Sequence, residues 1–441
     1  MSSCQALLVS APSSGAGKTS ITAAIARWHH RRGLRVRVFK TGPDYLDPMI
    51  LARASGHPVY QLDLFMAGLD GCRALLAQAA AEADLILVEG VMGLFDGKPS
   101  SADLAAAFGL PVLAVIDAQA MAQTFGALAL GLQTYRADIK LCGVVANRIG
   151  SEAHGRMLAE GLPPSLPLVA ALARQTKLAL PERHLGLVQA MELPALDAQL
   201  DAWADAWGAA TQDTHGGLEG LSAAFKPPAG EASAVAQPIE PTLQGRRVAV
   251  AQDSAFSFIY PANLDALREL GAELLCFSPL AGHALPACDA LWLPGGYPEL
   301  HAEALRAHPS FFKDLRAHLA ANKPLLAECG GMLCLLESLT DAEQRQHPMA
   351  GLMPGHARLQ TRLAALGLQS LAWPEGTLRG HSFHYSTLET PLTPTAHADN
   401  PNGGKTAEAL YQHGSLRASY VHHYFPSNLQ AVAAFFRGTA P

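Results

Sequence analysis

Charge is scarce in this 441-residue chain: Asp, Glu, Lys and Arg together make up 16% of it, and they sum to −6. No basic stripe interleaved with aromatics marks a nucleic-acid partner, and none is expected. The seven cysteines include no CxxC pair and no ligand-like spacing, which argues against a zinc site and against a disulfide framework. Reduced thiols and a cytoplasmic location are the expectation. No apolar stretch is both long enough and sufficiently free of charge to cross a membrane. No basic-then-apolar leader precedes the first apolar run, and no internal repeat or heptad run is found. What the chain does have is 49% apolar residues, enough for two or three domains that each bury a core.

Short apolar runs alternate with helical stretches over roughly the first two hundred residues. Ala6–Ser10, Val36–Lys40, Leu85–Glu89, Val112–Asp117 and Cys142–Asn147 read as strands. The first four are almost continuously apolar, as in a parallel sheet covered on both faces. Ser20–Arg32 and Ala118–Tyr135 read as helices, so a doubly wound parallel α/β domain is expected over residues 1–207. Thr211–Gln244 is rich in Gly, Ala, Pro, Ser and Thr and reads as a linker, set at 208–244. Alternation restarts with Arg247–Ala251, Glu273–Phe277, Ala290–Leu293 and Leu325–Glu328, giving a second α/β domain over 245–441.

A phosphate loop lies between the first strand and the first helix. In Ser10-Ala-Pro-Ser-Ser-Gly-Ala-Gly-Lys-Thr-Ser20, Gly15 and Gly17 let backbone amides turn toward a phosphate, Lys18 can reach the β/γ oxygens and Thr19 can bind Mg²⁺. A nucleotide would rest on Ser14, Gly15, Ala16, Gly17, Lys18, Thr19 and Ser20. Pro12 stands where the strict pattern has its first glycine. Lys40-Thr-Gly-Pro-Asp-Tyr-Leu-Asp-Pro48 and Val88-Glu-Gly-Val-Met-Gly-Leu-Phe-Asp-Gly97 bring Asp44, Asp47, Glu89 and Asp96 to the carboxyl ends of strands, where ligands of open α/β sheets gather. Hard carboxylate oxygens beside a triphosphate could supply Mg²⁺ ligands. Asp44 and Asp47, next to prolines, could equally be turn formers. Asn147 could read the base edge or cap a loop.

The second domain carries a cysteine elbow. In Pro324-Leu-Leu-Ala-Glu-Cys-Gly-Gly-Met332 a strand, a sharp turn and a helix would raise Cys329 above the end of a sheet. The helix N-terminus there would favour thiolate. Gly295 and Gly296 in Leu293-Pro-Gly-Gly-Tyr-Pro-Glu299, with Gly330, can offer N–H groups to an oxyanion. Ser419-Tyr-Val-His-His-Tyr-Phe425 reads as a strand ending in two histidines, of which His422 is preferred over His423 as the base. A glutamine-splitting site joined to an ATP site implies an enzyme that makes amides.

These motifs, together with Asn147-Arg-Ile-Gly-Ser151 and Pro181-Glu-Arg-His-Leu-Gly-Leu187, occur in an order that resembles the cobyrinic acid a,c-diamide synthase family over nearly the whole chain. The resemblance implies a dethiobiotin-synthetase-like domain followed by a class I glutamine amidotransferase domain. It implies amidation of the a- and c-acetate side chains of a corrinoid, consuming ATP, Mg²⁺ and glutamine. Thr19, Asp44 and Glu89 would then serve the metal, Asp47 and Asp96 carboxylate activation, Cys329 as nucleophile and His422 as base. Arg148, Arg183, His184, His381 and His384 are candidates for the corrinoid carboxylates, with a homodimer as the assembly to test. Three departures stand out: Ser382 replaces a glutamate in Gly380-His-Ser-Phe-His-Tyr-Ser386, His422-His-Tyr-Phe425 replaces His-x-His-Phe, and Tyr424 stands where many glutaminases carry glutamate. Two rivals remain open: cobyric acid synthase or the nickel-sirohydrochlorin a,c-diamide synthase, and a non-enzymatic nucleotide switch or metal chaperone.

Overall fold

The computed structural model describes residues 4–174, 182–183, 186–211, 218, 220–225, 240–404 and 407–438, with the side chains of 182, 183, 186 and 187 excepted. The chain separates into two compact units, Met1–Ala232 and Ser233–Pro441.

The first unit is built on strands β1 (Gln5–Ser10), β2 (Val36–Thr41), β3 (Tyr60–Leu62), β4 (Leu85–Glu89), β5 (Val112–Asp117), β6 (Leu141–Ile149) and β7 (Leu168–Ala173). Their order is β3-β2-β4-β1-β5-β6-β7, parallel throughout. Alternate side chains of β1 enter different cores: Ala6 and Leu8 join one apolar cluster, Leu7 and Val9 the other. Burial on both faces is why these strands read as unbroken apolar runs. Helix α1 (Lys18–Arg31) buries Ile21, Ala24, Ile25 and Trp28, one face of a 3.6-residue repeat. The other helices used below are α2 (Leu46–Ser55), α3 (Thr124–Thr134) and α4 (Leu196–Thr211). A Cβ on Gly208 of α4 would stand 2.5 Å from the Trp28 indole nitrogen, so glycine lets α4 approach α1 closely.

Two expectations are corrected here. The helix foreseen over Ala118–Tyr135 begins only at Thr124, because Asp117 Oδ1 accepts the Gln119 N–H at 3.0 Å and the chain turns before it winds. Part of the expected linker is packed. Ala223 and Ala224 pair antiparallel with β1, the Phe225 N–H donates to Cys4 O at 2.8 Å, and the Phe225 ring is buried in the β1 cluster. The rest of that stretch falls largely outside the described residues.

The second unit has strands β8 (Arg247–Ala251), β9 (Glu273–Phe277), β10 (Ala290–Leu293), β11 (Leu325–Glu328), β12 (Ala365–Trp373), β13 (Gly376–His384), β14 (Ala396–His397), β15 (Ala409–His413), β16 (Leu416–Ser419) and β17 (His422–Tyr424). Its main sheet runs β9-β8-β10-β11-β16-β15-β14, parallel through β16 and antiparallel beyond. A separate antiparallel sheet runs β12-β13-β17. The single strand foreseen over Ser419–Phe425 is therefore two. Ser419 Oγ accepts the Val421 N–H at 3.1 Å, the chain turns there, and His422–Tyr424 pair with β13 instead.

Candidate functional site

In the first unit the phosphate loop leaves β1, the strand at which the sheet order reverses, as expected for a ligand-binding crevice. Gly17 caps α1 with φ 96°, a left-handed conformation that glycine adopts without strain. Lys18 Nζ donates to Ser13 O at 3.1 Å and to Met92 O at 2.6 Å. Burial, and then the Lys40 ammonium, lower the Lys18 pKa. Asn147 Nδ2 donates to Ala16 O at 2.9 Å, so it braces the phosphate loop from β6. Arg148, at φ 62°, pairs with Asp117 at 2.6 Å and is partly exposed. Arg183 lies in a two-residue strand, its side chain outside the described residues, as is His184.

The residue that organises this crevice is Lys40, which sequence reasoning quoted but did not assign. It is 1% exposed, and its Nζ lies 2.6 Å from Asp47 Oδ2, 2.6 Å from Glu89 Oε1 and 3.3 Å from Asp44 Oδ2. The signal was present: β2 pairs β4 in parallel with Lys40 opposite Glu89, and a lysine ending an apolar strand beside such a carboxylate needs a partner. Burial alone would lower the Lys40 pKa, but Asp47, Glu89 and Asp44 hold it well above the ordinary value. Burial raises the Glu89 carboxyl. Burial, then the charge of Asp47, raise Asp44 to about 7. For Asp47 burial also works upward, but the Lys40 ammonium together with hydrogen bonds from Lys40, Asp44 and Thr19 keeps the carboxyl low.

Asp44 is better placed as a turn former than as a metal ligand. Its Oδ1 accepts the N–H groups of Leu46 and Asp47 at 2.9 and 3.3 Å, at the start of α2. Asp96 is exposed and accepts the Gly93 N–H at 2.9 Å. Among the described residues no group of three His, Cys, Asp or Glu side chains is disposed to hold a metal ion by itself. The donors do suit a Mg²⁺ that shares its shell with phosphate oxygens. Thr19 Oγ1 lies 3.3 Å from Glu89 Oε1, and the buried Glu89 Oε2 meets no hydrogen-bond donor.

In the second unit Cys329 sits between β11 and helix α5 (Gly330–Leu335) at φ 45°, ψ −110°, a strained conformation typical of a nucleophile elbow. The Cys329 N–H donates to Ser419 O at 2.8 Å. The turn tolerates nothing larger than Gly-Gly. A Cβ on Gly331 would overlap the Leu293 carbonyl, and one on Gly330 would lie 2.7 Å from Gly296 O. The same loop supports the imidazole, since a Cβ on Gly295 would overlap the His422 ring. Gly295, Gly296, Gly330, Cys329 and His422 are thus brought together. The expectation of a thiolate favoured by the helix terminus is corrected. Helix α5 has only six residues, and burial, followed by the charge of Glu299, pushes the Cys329 thiol well up. Burial pushes His422 well down, so the resting pair is thiol and neutral imidazole.

Strand parity separates the two histidines. His423 faces inward: its N–H and Nδ1 donate to Glu328 Oε1 at 2.9 and 2.8 Å, and its Nε2 accepts from Trp373 Nε1 at 3.3 Å. Glu328 Oε2 also accepts from Trp292 at 3.0 Å. Asn263 pins the strand by donating to His423 O at 2.8 Å and accepting the Phe425 N–H at 2.7 Å. His381 and His384, expected to receive corrinoid carboxylates, are buried instead. His381 stacks on His422, with centroids 5.0 Å apart at 21°. His384 Nε2 is 3.0 Å from Glu408 Oε1, and its ring stacks on Tyr420 at 3.6 Å. Glu299 was not singled out from sequence. It is 8% exposed, and burial raises its carboxyl to about 7.

Residues 7–188 match the CobQ/CobB/MinD/ParA nucleotide binding domain, and residues 247–429 the CobB/CobQ-like glutamine amidotransferase domain. The chain is 57% identical over 434 residues to hydrogenobyrinate a,c-diamide synthase of Stutzerimonas stutzeri, covering 98% of this chain and 99% of that one. It belongs to the a,c-diamide synthase family. The Pseudomonas aeruginosa hydrogenobyrinate a,c-diamide synthase is also 57% identical, over 431 residues (98% and 97% of the two chains). Cobyrinate a,c-diamide synthase of Herminiimonas arsenicoxydans is 50% identical over 442 residues (98% and 97%). Like its relatives, the chain is a glutamine-hydrolysing amidoligase with a P-loop nucleotide domain, and ATP and glutamine are its co-substrates. Membership removes the switch and chaperone readings. No described helix is long and apolar enough to cross a membrane.

Lys40→Met leaves Asp47 and Glu89 buried without their cation, and should destabilise the first unit by about 3–5 kcal/mol; urea unfolding followed by nucleotide-unit fluorescence measures this. Because the folded Glu299 carboxyl sits at about 7 against an ordinary value of 4.5, stability should fall as pH rises through that window, where only the unfolded state readily ionises. Glu299→Gln should flatten the melting temperature of the second unit between those pH values.

Proposed function

We propose that this chain converts the a- and c-carboxylates of hydrogenobyrinic or cobyrinic acid to amides in cobalamin biosynthesis, using ATP and glutamine. The metal-free corrinoid is the preferred substrate, because both relatives at 57% identity carry that name. The observation that carries the reading is the Cys329 elbow seated against the loop of residues 293–296, whose Gly295 lies against the His422 ring, in a chain whose other unit holds a phosphate loop.

In the glutaminase half, His422 takes the thiol proton as Cys329 Sγ attacks the side-chain amide carbon of glutamine. The N–H groups of Gly295, Gly296 and Gly330 receive the oxyanion. His422 then returns the proton to the leaving nitrogen, ammonia departs, and water hydrolyses the γ-glutamyl thioester to glutamate. The neutral resting pair fits this order, since charge appears only as the tetrahedral species forms.

A free carboxylate is a poor acceptor for ammonia, so it must first be activated. The loop amides and Lys18 hold the phosphates of ATP while a corrinoid carboxylate oxygen attacks the γ-phosphorus, ADP leaves and an acyl phosphate forms. Ammonia attacks the acyl carbon and phosphate leaves. Lys40, fixed by Asp47 and Glu89, keeps a positive charge beside the transferred group. Mg²⁺, held by Thr19 and Glu89 when bound, screens the negative charge of the phosphates. Arg148, partly exposed near the end of β6, is the remaining candidate for a corrinoid carboxylate.

Cys329→Ser should abolish glutamine-driven diamide formation and leave ammonium-driven formation intact, as read by mass spectrometry of corrinoid products. Loss of both in a folded variant would overturn the division of labour. Parallel turnover of hydrogenobyrinate, cobyrinate and nickel-sirohydrochlorin identifies the substrate; preference for the last would overturn the corrinoid assignment.

A further inference from the structure

The general base of a Cys–His pair must stay in one orientation and must tolerate a positive charge once it takes the thiol proton. In this chain the residue two positions after His422 is Tyr424, an aromatic and not an acid. Its ring packs edge-on against Tyr260, with centroids 5.7 Å apart at 72°. The nearest acid on the elbow strand, Glu328, is engaged by His423 and Trp292 on the opposite face of β17. What stands beside the His422 ring is another imidazole. His381 of β13 is its direct cross-strand partner, and the two rings lie nearly parallel, 5.0 Å apart at 21°. His381 Nδ1 shares a hydrogen bond of 2.9 Å with the Tyr260 hydroxyl, and Tyr260 is fully buried at the start of the helix Pro261–Glu269. Phe258 closes another side of His422, with centroids 5.9 Å apart.

The geometry points to His381, anchored by Tyr260, as the positioning residue for His422: its ring face holds the base in the plane from which it takes the thiol proton during glutamine cleavage. This rests on the assignment of His422 as the base. The physics is that of two packed aromatic rings, whose quadrupoles and close packing fix their mutual orientation. Burial lowers the His381 pKa to about 3, and burial, followed by His381, holds His422 well down, so both stacked rings rest neutral. The Tyr260 hydroxyl sets the rotation of His381 and hence the parallel geometry. Tyr260 and His381 touch neither the thiol nor glutamine in this role, so their removal should slow turnover without weakening substrate capture.

The test is steady-state glutaminase kinetics on the full chain with His381→Leu, His381→Phe, Tyr260→Phe and His422→Ala, with ammonium-driven amidation and the melting temperature as controls of folding. His381→Leu keeps bulk and loses the π face; its kcat for glutamine should fall about 10-fold with KM unchanged. His381→Phe should recover most of that loss, and Tyr260→Phe should lower kcat by about 3- to 10-fold. Equal kcat in the Leu and Phe variants, or an effect confined to KM, overturns the inference. If His381→Leu fails to fold, Tyr260→Phe carries the test, because it removes one hydroxyl. Full glutaminase activity in His422→Ala would remove the assignment of the base itself; loss of activity there, with Tyr260→Phe and both His381 variants unaffected, removes only this inference.

Discussion

The second unit depends on one close approach: the loop after β10 lies directly against both the Cys329 turn and the His422 ring. Three glycines make it possible, since Gly295, Gly330 and Gly331 each lack a Cβ that would collide with imidazole, carbonyl or carbonyl. The strain at Cys329, φ 45°, is tolerated because β10 and β16 hold β11, the strand that enters the turn, in register, and the Cys329 N–H is bonded to Ser419 O. Any side chain on these glycines would push the Cys329 turn and the His422 ring away from the loop between them. The same constraint explains why paired glycines occur both in the loop after β10 and at the start of α5.

The two units treat buried charge in opposite ways. In the first, a lysine and three carboxylates share one pocket, and each carboxylate accepts its burial because Lys40 is within ion-pair reach. Such a crevice is ready for a polyanion and its counter-ion. In the second, Cys329 and His422 lie in surroundings that push the thiol up and the imidazole down, so the resting pair carries no charge.

Much of the fold was legible because its strands are buried on both faces and therefore apolar without interruption. Leu85–Glu89, Val112–Asp117 and Arg247–Ala251 fall where the apolar runs placed them. The phosphate loop and the elbow were legible because glycines at fixed offsets have few other uses. What stayed hidden was long-range pairing. Sequence cannot show that Lys40 meets Glu89 across a strand pair, or that β17 leaves the main sheet at Ser419 to face β13. The second of these decides which way His422 and His423 point, and it places His381 beside the former. Nor can sequence show that the Asn147 amide reaches the Ala16 carbonyl of the phosphate loop.

The short run Ala223–Phe225 has a practical consequence. It adds two residues to the sheet beside β1 and seats a phenylalanine among the side chains that β1 and β5 bury. A fragment cut where the composition first turns loop-like, near residue 208, would lack this plug and expose an apolar slot against its own leading strand. An excised nucleotide unit meant to remain soluble therefore has to be ended beyond Phe225, in the stretch that precedes β8.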